Sequence, residues 1–114
     1  MALSFYQLFA AKQVNNAAAD TLFTVPSSPT ASILRNGRVR FANTTAGAVT
    51  IKAWAVPTAG AASDANVILP ITSIAANSYI DLDVPIMSAG AFMQAQAGAA
   101  TSITATHIDG FIQS

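Results

Sequence analysis

Hydrophobic and polar residues alternate with a period of two over most of this chain, and no stretch sustains a helical period. Val49, Ile51, Ala53 and Ala55 fall on one side of an extended segment, with Thr50, Lys52, Trp54 and Val56 on the other. Alternation of that kind marks a strand that shows different chemistry to its two faces. The cadence recurs over Asp20–Val25, Ala31–Phe41, Val67–Leu69, Ser78–Val84, Ala91–Ala97 and Ser102–Gln113. Breakers separate the runs: Pro26-Ser27-Ser28-Pro29, the Thr44–Gly47 turn, the Pro57–Asn66 loop, Pro70 and Pro85. Proline removes a ladder donor and Gly, Asn and Ser favour turns, so each breaker ends a strand. The pattern predicts seven to nine strands in an all-β, antiparallel β-sandwich of jelly-roll or immunoglobulin-like type.

Two stretches admit more than one reading. Asn36-Gly37 between alternating residues signals a hairpin turn, or else one long strand with a glycine bulge. In either case Val39–Ala42 is expected to pair with Ala48–Val56 across the Thr44–Gly47 turn. At the N-terminus, Leu3, Phe5, Tyr6, Leu8 and Phe9 are five large apolar side chains in seven positions. Phe5, Leu8, Phe9 and Lys12 also fit a helical stripe, but aromatic density and the lack of a cap favour an extended form. The chain therefore divides into an N-terminal extended arm and link over 1–19 and a β-sandwich domain over 20–114. The arm is expected to pack across a subunit boundary, with a first strand of its own sandwich as the alternative.

Composition adds an assembly signal. Hydrophobic residues make up 53% of the 114 positions and charged residues only 9%, against roughly 25% in typical domains. Five basic and five acidic residues cancel. Such a surface repels its copies weakly, which favours coverage by other subunits. Much of the apolar share is alanine, so the core is expected from Ile, Leu, Val and Phe. No cysteine is present, which removes disulfides and thiolate metal sites. The N-terminal residues lack the basic and apolar regions of a signal peptide. Val84–Thr106 carries no charge, but Pro85, Gly90, Gly98 and interspersed polar residues rule out a spanning helix. No membrane partner is expected.

Candidate chemistry is sparse. His107 is the sole imidazole, two positions from Asp109 on one strand face, and a half-buried strand histidine is the plainer reading. The five aspartates show no metal-ligand spacing. Asp81 and Asp83 share a strand face as solvated acids that blunt an edge. No enzymatic activity and no cofactor are expected. Arg35, Arg38 and Arg40 hold three of the five positive charges within six positions. A neutral chain with so few interleaved aromatics does not suit nucleic acid; the arginines suit an acidic subunit interface. Leu3, Phe5, Tyr6, Phe9, Arg35, Arg38, Arg40 and Trp54 are the candidate interface residues. Trp54 is expected in the core or at a subunit interface; the alternative joins it to Tyr79 and the Pro57–Asn66 loop as a carbohydrate- or receptor-recognition edge.

A resemblance sharpens these expectations. Between Leu22 and Phe111 the chain carries Thr24-Val25-Pro26, Val39-Arg40-Phe41-Ala42-Asn43-Thr44-Thr45, Val49-Thr50-Ile51 running into Ala55-Val56-Pro57, and Asp64-Ala65-Asn66. It continues with Ser73-Ile74-Ala75-Ala76-Asn77-Ser78 before Ile80-Asp81-Leu82, and closes on Thr106-His107-Ile108-Asp109-Gly110-Phe111. In order and spacing these resemble small β-sandwich virion structural proteins of tailed bacteriophages; Asn36-Gly37 departs from the uninterrupted alternation usual there. The resemblance implies a capsid decoration (cement) protein on the virion surface, or a neck, collar or tail accessory protein. Its partners would be copies of itself, a homotrimer favoured, and the phage major capsid protein or neck and tail proteins. It would be assembled in the host cytoplasm. The resemblance transfers no site residues.

Overall fold

Alternating side chains can bury one set only if a second layer covers them, and two antiparallel sheets here cover each other. The computed structural model describes residues 3–27 and 31–114. Its strands are β1 (Leu3–Ser4), β2 (Lys12–Gln13), β3 (Asp20–Thr24), β4 (Ile33–Asn43), β5 (Val49–Val56), β6 (Val67–Ile74), β7 (Tyr79–Val84), β8 (Met87–Ser88), β9 (Phe92–Ala97) and β10 (Ile103–Gln113). No helix occurs among the described residues. Met1, Ala2 and residues 28–30, which include Ser28 and Pro29 of the expected proline turn, lie outside them.

One sheet has the order β1-β10-β4-β7, with β2 also on β10 and β8 also on β4; the other runs β3-β9-β5-β6. β1 and β2 pair with the two ends of β10, so they form one interrupted strand. β7 and β8 likewise share β4. Counted that way, eight strands fall in the orders 1-8-3-6 and 2-7-4-5, all antiparallel. Strand 1 pairs with 8, 2 with 7, 3 with 6 and 4 with 5, which is a four-stranded hairpin rolled around itself. That order is the jelly roll, and the immunoglobulin-like alternative does not fit it.

The N-terminal residues are accordingly no detached arm. Residues 3–14 are the first strand of the roll, on the edge of their own sheet. Val14 is buried and its N–H donates to Ile103 O at 2.8 Å, while Ala97 N donates to Asn15 O at 3.0 Å. Leu8 and Phe9 turn inward against the core, and Phe9 stacks on Phe23 of β3 with ring centroids 5.9 Å apart. The segment thereby closes the gap between the edge of one sheet and the edge of the other.

The expected pairing across Thr44–Gly47 is also corrected, because β4 and β5 lie in different sheets. That turn is a corner where the chain crosses the sandwich. Asn43 is 2% exposed and holds the corner. Its Nδ2 donates to Gly47 O at 2.8 Å, Ile74 O at 3.0 Å and Ala75 O at 3.3 Å. Its Oδ1 accepts from Thr45 N at 3.0 Å and Thr45 Oγ1 at 2.7 Å.

Asn36-Gly37 makes no hairpin. It lies inside the eleven-residue β4, where the ladder with β10 slips once between His107 and Asp109 and slips back between Asp109 and Phe111. Ile108 is the extra residue in β10 and Asn36-Gly37 supplies the extra one in β4, so the two bulges cancel and the register is restored. Asn36 takes φ 55° and Gly110 takes φ 120°, the left-handed backbone that such irregularities require. The core joins Ile51, Ala53, Met93 and Ala95 of one sheet to Leu34, Val39, Phe41, Ile103, Ala105 and Ile112 of the other. Alanine contributes more than expected: Ala53 pairs with Ala95, and Ala105 sits beside Phe41, so small side chains leave room for large ones.

Candidate interaction surface

Cross-strand partners in a pleated sheet share a face, so the register fixes what the sheet containing β4 shows to solvent. Along its middle, Arg38 faces Asp83 and Arg40 faces Asp81 across the β4·β7 ladder. Arg38 Nε donates to Asp83 Oδ1 at 2.9 Å, and Arg40 binds Asp81 through two bonds of 2.8 and 3.1 Å. The Arg40 bond holds the Asp81 carboxyl below its usual range, and Asp81 in turn raises Arg40. Arg40 also lies 4.1 Å from the centroid of the Tyr79 ring. The acids expected to be solvated and the arginines expected to meet an acidic neighbour therefore meet each other. Arg35 is the exception: its Nη1 contacts Gln113 Oε1 at 3.4 Å, and no described carboxylate pairs with it.

Toward one end the same face turns apolar. Leu3 pairs with Gln113 and Gln113 with Ile33, giving one cross-strand row. Phe111 pairs with Arg35 in the next row, and Phe5 lies over Phe111 with centroids 5.3 Å apart. Phe5 is 73% exposed, Leu3 51% and Ile33 38%. Tyr6 and the bulged Ile108 adjoin the patch and line one shallow cleft with Gln7 and Gly110. Of the predicted interface residues, Leu3, Phe5, Tyr6 and Arg35 thus gather at one end of one sheet. Phe9 does not join them, because it plugs the interior.

Trp54 is also withdrawn from the surface, at 6% exposure. It faces away from the main core, yet Lys52 Nζ lies 5.3 Å from its ring centroid and 3.4 Å from Asp64 Oδ1. The Pro57–Asn66 loop holds itself with Gly60 N to Pro57 O, Asn66 N to Ser63 O and Asn66 Nδ2 to Ala61 O. Asp64 ties it back to β5. The alternative, an aromatic recognition edge of Trp54 and Tyr79, finds no free Trp54 here: Trp54 is covered and Tyr79 is engaged by Arg40.

His107 does not share a face with Asp109, since the Ile108 bulge turns Asp109 out to Arg38 while His107 stays inside opposite Val39. The imidazole is 7% exposed, with Phe9 and Phe23 at centroid distances of 6.2 and 6.5 Å. Leu8 N donates to Nδ1 at 3.0 Å, and Nε2 is buried with no hydrogen-bond partner among the described residues. Burial pushes the imidazole pKa down, with the backbone and carboxylate of Asp109 opposing. Periodicity alone gave no warning of this arrangement, because the bulge that decides which way Asp109 faces lies in the pairing of two strands. Asn43 went unnoticed for a similar reason: its partners Ile74 and Ala75 are remote in sequence, and only Asn43-Thr44-Thr45 beside a glycine hinted at a tight corner. No protein-family model matches this chain, and neither a curated protein nor a solved structure does.

Proposed function

We propose that this chain is a structural, non-enzymatic subunit of a tailed-phage virion, a capsid decoration protein that seats on the shell as a homo-oligomer, a trimer favoured. The carrying observation is the exposed apolar patch of Leu3, Phe5 and Ile33 beside Arg35, on a surface whose other arginines are already paired. Exposed aromatic and aliphatic anchors flanked by an arginine that no described carboxylate pairs with suit a protein interface. Repeated seating lets modest contacts add across a shell. The jelly roll also serves in capsid and lectin domains, which is analogy at the level of fold. The covered Trp54 weighs against the lectin-like option. A neck or tail position is the alternative within the virion.

Sedimentation velocity on the wild type and a Phe5→Ser/Ile33→Ser variant tests the interface. The wild type is expected to associate and the variant to be monomeric with an unchanged urea midpoint. A wild type that stays monomeric through the micromolar range, or a variant that associates equally well, overturns the reading. Quantitative mass spectrometry of purified virions then separates a shell-wide copy number from that of a single neck or tail ring.

A further inference from the structure

We propose that His107 is a pH-sensitive latch for the N-terminal strand: neutral, it holds residues 3–14 on β10, and protonated, it favours their release from the sheet edge. The geometry is specific. Leu8 N–H donates to Nδ1, so in this state the ring proton sits on Nε2. Protonating Nδ1 sets two donors against each other at 3.0 Å and leaves a cation in a pocket made by Phe9, Phe23 and Val39. Nε2 has no hydrogen-bond partner among the described residues, so only the backbone and carboxylate of Asp109 offset the new charge.

The segment is built to yield first. It is held to β10 by two ladders of two residue pairs each. Beyond them, Gln7 Nε2 reaches His107 O at 3.3 Å and Val14 N reaches Ile103 O at 2.8 Å; Leu8 and Phe9 are only partly buried, and Val14 at the far end is fully buried. Few long-range bonds and partial burial mark the low end of local stability.

Few charged groups lie around the ring to offset the burial. Leu8, Phe9, Phe23 and Val39, on the three elements packed against it, bring none. Asp109 on its own strand favours the cation, but burial outweighs it. Lys12 and Asp20, 3.1 Å apart, secure the far end of the segment, with Asn15 N donating to Asp20 Oδ2. Arg38 and Arg40 on β4 point outward to their aspartates.

The sign follows from linkage. The closed state holds the imidazole pKa below its ordinary 6.5, and release returns it toward that value. The open form therefore binds more protons. Closure is complete above about pH 6.5 and weakens as pH falls from there through the lowered value, after which it levels off. The opening constant rises by at most about tenfold per pH unit within that window.

Hydrogen exchange at the Leu8 and Val14 amides, corrected for intrinsic chemistry, reads this directly, with β5 and β9 amides as the internal reference. Protection at Leu8 and Val14 is expected to fall between pH 7 and 5 while the reference holds. His107→Asn keeps an acceptor near the Nδ1 position and cannot titrate, so its protection is expected to stay flat. Flat protection in the wild type, or the same decline in His107→Asn, overturns the latch. If the variant does not fold, the wild-type imidazole is titrated by NMR. The latch requires a midpoint below 6.5 that coincides with a shift of the Leu8 amide. A midpoint at or above 6.5, or an unmoved Leu8 amide, refutes it.

Discussion

Replacing Asn43 by alanine is expected to damage this protein more than its polar identity suggests. The side chain has two N–H groups and one carbonyl, and all are used. Gly47 O and Ile74 O lie closest to Nδ2, and Ala75 O shares at 3.3 Å. Thr45 donates twice to Oδ1. Of these partners the Ile74 carbonyl is the one in a fully buried bond, so Asn43→Ala strands it at a cost of about 1–3 kcal/mol. Gly47, Ala75 and Thr45 are nearer solvent and can rehydrate, so each lost bond there costs nearer 0.5–1.5 kcal/mol net. Allowing for non-additivity, about 3–4 kcal/mol results, a large part of the 5–15 kcal/mol that typically holds a domain. With a urea m-value of about 1–2 kcal/mol/M, the midpoint of equilibrium unfolding should fall by roughly 2 M. Asn43→Asp sharpens the test, because it keeps Oδ1 and turns a second oxygen onto three carbonyls. It should be worse than alanine at neutral pH. A midpoint within about 0.5 M of wild type for Asn43→Ala, or an aspartate variant more stable than the alanine one, would refute the corner argument.

Two further perturbations probe the roll. Gly110→Ala forces a side chain onto φ 120° and brings its Cβ within 2.8 Å of Gly37 Cα, so a loss of about 1–3 kcal/mol is expected; an unchanged thermal midpoint would show that the paired bulges relax freely. Deleting residues 1–13 removes Leu8 and Phe9 from the edge of the core and bares β10. The truncated protein should unfold at clearly lower urea and aggregate through the open edge, whereas a soluble product with the wild-type midpoint would restore a detachable arm.

The strands were legible because one face of nearly every one is buried, and a half-buried strand must alternate. Phe92–Ala97 shows this most plainly, and the sandwich class follows from such strands; in Val49–Val56 the alternation fails at its end, where Trp54 and Val56 are buried on the second face. Topology was not legible. The sequence cannot distinguish a turn that pairs its flanking strands from one that carries the chain to the other sheet, and Thr44–Gly47 was misread for that reason. The N-terminal strand was misassigned because its apolar residues split between two fates: Phe9 and Leu8 point inward, while Leu3, Phe5 and Tyr6 stay out. The spacing of Arg38 and Arg40 did place them on one face, as that of Asp81 and Asp83 did. Only the ladder between β4 and β7 reveals that the two sets neutralise each other.

The latch and the apolar patch share residues, and that overlap constrains both proposals. Leu3 and Phe5 lie on the segment that His107 holds, whereas Ile33, Arg35 and Phe111 lie on β4 and β10, which stay in the roll. Release of the segment therefore splits the patch, taking its most exposed aromatic side chain away from the strands it lies on. Association through the intact patch should then weaken over the pH window in which Leu8 and Val14 lose protection, and His107→Asn should remove both effects together. Association through β10 after release gives the opposite sign, because the bared edge would take up the first strand of a second copy and assembly would grow in acid. Sedimentation velocity at pH 7 and pH 5 on the wild type and on His107→Asn separates the two. Assembly that is insensitive to pH while Leu8 protection falls would show that the patch is not the contact surface, and would leave the latch standing.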